Sequence, residues 1–389
     1  MTRESRMTAA STHLRITGVG LHPFGRFADR TATDLGVHAV RAALTDAGLE
    51  PATARGRIDA AFCATAYGGV AAGHRVLGRL ALTGIPIIDV EAGCASGGAA
   101  LALAGQAIRS GTHERVLVFG LEQMPKGMIR SSFFAPWQEV AGLSATPAYF
   151  ALRAQRLLRE HGLTSAHLAE LVVKNRRWGA LNPDAMFRSE VTAEQVLASR
   201  LVAQPLHLWM LCSPNEGAAA VIVEAGGPTP TTRDVGLAAA ALRSHLPGSV
   251  LDESTPLAGI DDADIVGPTR LAATDAYEAA GLGPDNLDVV ECQDTDAARE
   301  LLSWTELGLC TPGDQPRLLA EPVDAPAINR SGGLLSKGEP LGASGLGQVA
   351  ELVRQLRGEA GDRQVEHPRT ALAHTIGRGA NASVTILTR

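Results

Sequence analysis

Apolar positions along the chain follow two rhythms, and their order predicts the architecture. Short apolar runs at residues 14–20, 58–64, 85–90 and 115–120 read as strands, the last three buried. Residues 31–48 carry the three-to-four spacing of an amphipathic helix, and Gly48 supplies its stop. Between 90 and 115 a run of small residues predicts a helix that begins at or just after Cys94 and ends near residue 110. Strands alternating with helices in this way predict a parallel or mixed sheet covered by helices.

From about residue 123 to 217 the rhythm breaks, and aromatic residues gather: Phe133, Phe134, Trp137, Tyr149, Phe150, Trp178, Phe187 and Trp209. An insertion of this kind is where substrate contacts are expected. A second alternating pattern starts near Val235. It predicts helices at 268–281, 297–308 and 344–358, and strands at 287–291 and 382–387. The two patterns echo each other. Ala47-Gly48-Leu49 closes the first helix of one, Ala280-Gly281-Leu282 the first helix of the other. Arg57-Ile58-Asp59 answers Asn286-Leu287-Asp288 soon afterwards. The expectation is an α/β protein of two duplicated halves, 1–226 and 233–389, joined through 227–232.

Composition narrows the function. The 389 residues exceed what one core usually supports, and 45% are hydrophobic, enough for a large interior. A net charge of −6 gives no reason to expect nucleic acid or an anionic membrane as partner. No apolar run approaches the roughly 18 residues of a membrane span, and the opening dozen residues hold no signal-peptide core. The five cysteines form no Cys-x-x-Cys pair, which fits a reducing compartment. A cytoplasmic protein is therefore expected. No cluster has metal-ligand spacing, so neither a metal nor a separate cofactor is expected.

Candidate chemistry centres on Cys94. Flanked by Gly93 and Gly97, it stands where a strand gives way to a helix. Unsatisfied N–H groups and the positive end of the helix favour a thiolate there, and the thiolate is the nucleophilic form. Cys292 alternates with Gln293 on a predicted strand and reads as core, as do Cys63, Cys212 and Cys310. His374 precedes a glycine-rich turn and is within reach of a pocket there, although a lone histidine more often packs internally.

Gly93-Cys94-Ala95-Ser96-Gly97, Lys174-Asn175 with Asn182-Pro183, and Pro205-Leu206 through Cys212 to Glu216-Gly217-Ala218-Ala219-Ala220 together resemble the thiolase superfamily, in its sterol-carrier-protein-type or lipid-transfer-type branch. So do Glu300-Leu301-Leu302 to Glu306-Leu307-Gly308-Leu309, residues 329–345, and Ile376-Gly377-Arg378-Gly379-Ala380. The resemblance implies a five-layer αβαβα fold, a homodimer, and an acyl-CoA substrate whose coenzyme A is part of that substrate. It implies acylation of Cys94, with an oxyanion hole from the Cys94 N–H and the loop of Gly377 and Gly379. Arg176, Arg177 and Arg188 become candidates for the coenzyme A phosphates, and Trp178 for its adenine.

Two positions depart from the family pattern. Gly338-Glu339-Pro340-Leu341-Gly342 carries Glu339 where the family has the histidine that activates the cysteine. Gln293 stands where asparagine or histidine is usual; its amide N–H is suited to polarising a thioester carbonyl. An ionised Glu339 would repel a thiolate, yet a carboxylate is a competent base for an α-proton or a β-hydroxyl. Three readings follow: acyl transfer through Cys94, retro-aldol cleavage of a β-hydroxyacyl-CoA, for which the resemblance implies a small OB-fold and zinc-ribbon partner, or a non-catalytic subunit.

Overall fold

The computed structural model describes residues 13–50, 53–127, 135–142, 144–226, 233–247, 266–377 and 381–389. The expected linker 227–232, Phe133, Phe134 and the predicted oxyanion residue Gly379 lie outside them.

The first half runs β1 (Leu14–Gly25), α1 (Ala32–Asp46), β2 (Ala60–Ala64), α2 (Ala72–Arg79), β3 (Ile87–Val90), α3 (Ser96–Arg109) and β4 (Arg115–Gln123). The insertion adds α4 (Pro136–Val140), α5 (Thr146–Glu160), α6 (Ser165–Ala180), α7 (Ala193–Ala198) and a small hairpin of β5 (Leu201–Ala203) and β6 (Leu206–His207). β7 (Glu216–Ala225) closes the half. The second half runs β8 (Val235–Arg243), α8 (Pro268–Ala280), β9 (Val289–Glu291), α9 (Ala297–Glu306), α10 (Gln315–Leu319), β10 (Ala327–Ile328), α11 (Gly333–Lys337), α12 (Leu341–Arg357), β11 (Thr370–Ile376) and β12 (Ala382–Thr388).

Among the described residues ten strands form one sheet in the order β10-β9-β11-β12-β8-β1-β7-β4-β2-β3. Its two halves repeat each other strand for strand. In the first, β3, β2 and β4 are parallel and β7 and β1 antiparallel; in the second, β10, β9 and β11 are parallel and β12 and β8 antiparallel. Among the described residues, Arg15↔Gly236 and Ile16↔Val235 stitch β1 to β8. The duplication expected from the sequence is present in the topology.

α3 and α12 pack on each other and on strands of both halves, burying Ala100, Leu101, Leu346, Val349 and Val353 with Ile16, Val118, Val223 and Leu237. α1 covers the outer face of the first half and α8 that of the second. Close approach explains the abundance of small residues. A Cβ on Gly18 or Gly20 of β1 would fall 2.3 Å from Ala43 O or 2.2 Å from Ala39 O of α1.

Three expectations need correcting. β3 is shorter than expected and is an edge strand, with Ile88 49% exposed, where a buried one was predicted. β7 and β11 were not anticipated, because Gly217-Ala218-Ala219-Ala220 and Ala371-Leu372-Ala373 carry no period of two. The segment read as an irregular insertion contains two helices of about four turns, α5 and α6, whose buried faces join the second half's core. Among the described residues no helix is long and apolar enough to cross a membrane.

Candidate active site

The turn that presents Cys94 is built by its neighbours. Gly93 takes a left-handed φ of +59°, which lets the chain leave β3 and enter a single 3₁₀ turn, Gly93–Ala95, before α3. Ser96 ties the turn off: its Oγ accepts from Ala92 N at 2.8 Å and donates to Gly93 O at 2.6 Å. Glu91 accepts from Gly93 N at 2.8 Å. Cys94 is left buried against Met124 and Leu341.

Gly377 backs onto this turn. A Cβ there would meet Ala92 O at 2.2 Å, Cys94 N at 2.8 Å and Ala95 N at 2.9 Å. The Gly377 N–H itself donates to Asn381 O at 2.7 Å, so what Gly377 contributes is space rather than an oxyanion donor.

Glu339 enters from the second half. Gly338, at φ +84°, has no room for a side chain, because a Cβ would lie 1.9 Å from Asn215 Nδ2. Asn215 Nδ2 in turn donates to Lys337 O at 2.8 Å, and Glu339 N donates to Ser213 O at 2.9 Å. The loop after it is held by Glu122 of β4. This buried carboxylate accepts from Thr65 Oγ1, Ala66 N, Tyr67 N and Gly342 N at 2.8–3.1 Å. Burial raises the Glu122 carboxyl above its usual range, opposed by those four donors.

Both oxygens of Glu339 are engaged. Gln293 Nε2 donates to Oε1 at 2.9 Å, and the Cys212 thiol donates to Oε2 at 3.2 Å. The amide N–H expected to polarise a substrate carbonyl is therefore directed at Glu339, and Gln293 does not line the cavity. Cys212, read from the sequence as core packing, does line it. Burial, then the Glu339 charge, pushes its thiol well above the ordinary range, keeping it a donor.

Cys94, Cys212 and Glu339 share the wall of one cavity of about 770 Å³, completed by Met124, Tyr149, Phe150, Phe187, Trp209 and Leu211. Among the predicted anion contacts, Arg176 lies on this wall and is buried. Burial pulls its guanidinium down to about 10, and it sits 4.2 Å over the Phe187 ring. The other three candidates lie outside the cavity lining. Arg177 pairs with Glu321, Trp178 donates to Glu321 Oε1 at 2.8 Å beneath Arg330, and Arg188 is exposed.

His374 does not reach the cavity. It is fully buried, with Thr269 Oγ1 3.0 Å from Nε2, and Gln293 N donates to Nδ1 at 3.4 Å. Burial, then nearby Arg299, drives it well below the usual imidazole range. It is a neutral packing group behind Gln293.

Other wall residues escaped sequence reading. Arg153 and Arg299 point chain segments 146 residues apart at the same cavity, and each keeps an acidic partner, Asp296 and Glu306. Nothing in the local pattern around them marks them as pocket residues.

The family models "Thiolase, N-terminal domain" and "Thiolase C-terminal domain-like" match residues 15–204 and 255–389. The chain is 34% identical over 397 residues to "Sterol carrier protein 2" of Homo sapiens, covering 95% of this chain and 71% of that protein. It is also 34% identical over 391 residues to "Acetyl-CoA acetyltransferase" of Methanothermobacter thermautotrophicus, covering 96% and 99%. Among solved structures, "Ltp2-ChsH2(DUF35) aldolase" superposes with a TM-score of 0.81 at 24% identity, covering 97% of each chain.

Proposed function

Since the chain belongs to the thiolase family, in its sterol-carrier-type branch, we propose that it is an acyl-CoA acyltransferase that carries its acyl group on Cys94. The Cys94 sulfur attacks the thioester carbonyl carbon and its proton passes to the Glu339 carboxylate. The carbonyl–sulfur bond to coenzyme A then breaks, and Glu339 returns the proton to the departing sulfur. Coenzyme A leaves as a thiol and the acyl group remains as a Cys94 thioester. An acceptor then gives up its α-proton or hydroxyl proton to Glu339 and attacks that thioester. The bond between the acyl carbon and the Cys94 sulfur breaks, the sulfur takes the proton back, and a carbon–carbon or ester bond joins acyl group and acceptor. Gln293 and Cys212 hold the carboxylate in place by donating to its two oxygens.

The observation that carries this reading is a nucleophile-type cysteine and a hydrogen-bonded carboxylate on the wall of one apolar cavity. A homodimer belongs to it, and the open edge of β3 with its exposed Ile88 suits pairing with a second copy. Intact-protein mass spectrometry after incubation with a panel of acyl-CoAs tests it. Because the cavity holds two thiols, wild type is compared with Cys94→Ala and Cys212→Ala. One acyl mass on wild type and Cys212→Ala, absent from Cys94→Ala, supports the assignment; an adduct on Cys212 alone, or on neither thiol with any donor, defeats it.

A second reading is favoured by Glu339 itself. A carboxylate fixed by two donors is suited to taking a proton from a β-hydroxyl. The bond between the α and β carbons then breaks, an aldehyde or ketone leaves, and the α carbon, left as the thioester enolate, takes the proton back from Glu339. A small OB-fold and zinc-ribbon partner belongs to this reading, and the neighbour named "Ltp2-ChsH2(DUF35) aldolase" is itself a two-protein assembly by name. Cleavage of a β-hydroxyacyl-CoA that survives Cys94→Ala and is lost in Glu339→Gln would select it.

A further inference from the structure

The cavity shared by Cys94 and Glu339 carries positive charge that neither reaction uses. Glu339 is the one acidic residue on its wall among the described residues, and Gln293 and Cys212 occupy both of its oxygens. Five arginines line the same cavity: Arg26, Arg153, Arg176, Arg200 and Arg299. Arg26, Arg153 and Arg299 have partners in Glu216, Asp296 and Glu306. Even so, the Arg153 Nε and Arg299 Nη1 donors are buried and have no acceptor among the described residues.

Arg200 is exposed to solvent, which leaves Arg176 as the outlier. It is 8% exposed, and among the described residues it has no carboxylate within ion-pair distance and no hydrogen-bond partner for its buried Nε. The face of Phe187 is the one cation contact it makes there. Burying a guanidinium without a counter-ion is costly, and an anion entering the cavity relieves the cost. Between the arginines the cavity wall is mostly apolar, with Tyr149, Phe150, Phe187 and Trp209, which suits a hydrocarbon chain delivering a negative charge. A carboxylate matches the guanidinium fork and loses less hydration on burial than a doubly charged phosphate.

We propose that this site selects acyl-CoAs whose acyl group ends in a second, free carboxylate, with Arg176 as the counter-ion of that carboxylate. The proposal rests on the acyl-CoA reading above, but its test reads binding and needs no acyl transfer.

The probes are non-reactive thioethers: coenzyme A alkylated on sulfur with chains of graded length, ending in a methyl group or a carboxylate. Calorimetry on the full-length protein compares the two series. The wild type is expected to bind the carboxylate-ended analogue of the right length at least about 30-fold more tightly than its methyl-ended counterpart. Arg176→Met should erase that preference while leaving the methyl-ended affinity nearly unchanged. Equal wild-type affinities overturn the proposal without any variant being made. Equal weakening of both series by Arg176→Met also overturns it and assigns the guanidinium to a coenzyme A phosphate. A preference that survives Arg176→Met overturns the role of Arg176. Failure of both series to bind removes the acyl-CoA reading together with this one.

Discussion

Gly377→Ala is the most local disturbance available to the Cys94 turn. The new Cβ would stand 2.2 Å from Ala92 O, 2.8 Å from Cys94 N and 2.9 Å from Ala95 N. All three are backbone atoms of the turn, so no side-chain rotation clears them. Ordinary contact begins near 3.4 Å, so the worst clash needs a separation of about 1.2 Å (3.4 − 2.2). Whatever share the Ile376–Gly377 chain absorbs, the remainder moves Cys94. A displacement of the order of 1 Å at a reacting group costs about 10²-fold in rate. Overpacking of this kind also costs about 1–3 kcal/mol of stability. The assay is single-turnover acylation of Cys94 followed by mass, alongside urea unfolding. The expected result is a folded variant, less stable by about that amount, acylated roughly a hundredfold more slowly. Gly78→Ala serves as control, because its Cβ meets nothing within 4 Å on the exposed face of α2, and it should be neutral or stabilising. Wild-type acylation with wild-type stability in Gly377→Ala would refute the idea that this contact sets the position of Cys94.

Glu122→Gln turns one oxygen, which accepts a backbone N–H, into a donor. At least one such N–H group loses its acceptor, and urea unfolding should show a loss of about 1–3 kcal/mol. Cys212→Ala removes one of the two donors to Glu339; acylation should still fall on Cys94 but roughly tenfold more slowly, and an unchanged rate would separate Cys212 from the chemistry. His374 is held well below its ordinary value, so folded His374 stays neutral while the unfolded chain gains a proton below about pH 6.5. Its stabilising share is therefore complete above that pH and lost on acidification, by about 1.4 kcal/mol between pH 7.5 and 5.5. Unfolding of His374→Gln at both values should show a pH dependence smaller by that amount.

What could be read in the sequence depended on how local its cause is. The duplication was legible because Ala47-Gly48-Leu49 and Ala280-Gly281-Leu282 each close a helix by the same left-handed glycine, φ +69° at Gly48 and +66° at Gly281. Cys94 was legible because the turn that presents it is made by residues 91–96 themselves. β7 was not, since an alanine run fits a helix as readily as a central strand and only its pairing with β1 and β4 decides. Gln293 was placed correctly in the chain but given the wrong target, because its amide meets Glu339 across 46 positions. Cys212 and Glu122 lie 127 and 220 positions from the residues they hold, and no spacing rule spans such gaps.

The residues that made the family recognisable are mostly not the reacting ones. Lys174 donates to Glu300 at 2.9 Å, and Asn175 reaches Glu300 and Asp294 at 2.6 and 3.0 Å. Asp294 accepts from Leu334 N and Leu335 N at 2.7 and 3.1 Å, which seats α11 just before Gly338. This buried network fixes the backbone of residue 339 without touching its side chain. Position 339 is thus free to change its chemistry while the loop keeps its shape. The cost falls on whatever faces the new side chain. A carboxylate there needs donors on the wall, and Gln293 and Cys212 are both donors. The imidazole behind Gln293, being neutral and bound to Thr269, adds no competing charge. Glu339 is therefore not a lone replacement stranded in a site built for histidine. Its surroundings are matched to an acceptor, and that match supports the acid–base role proposed for it.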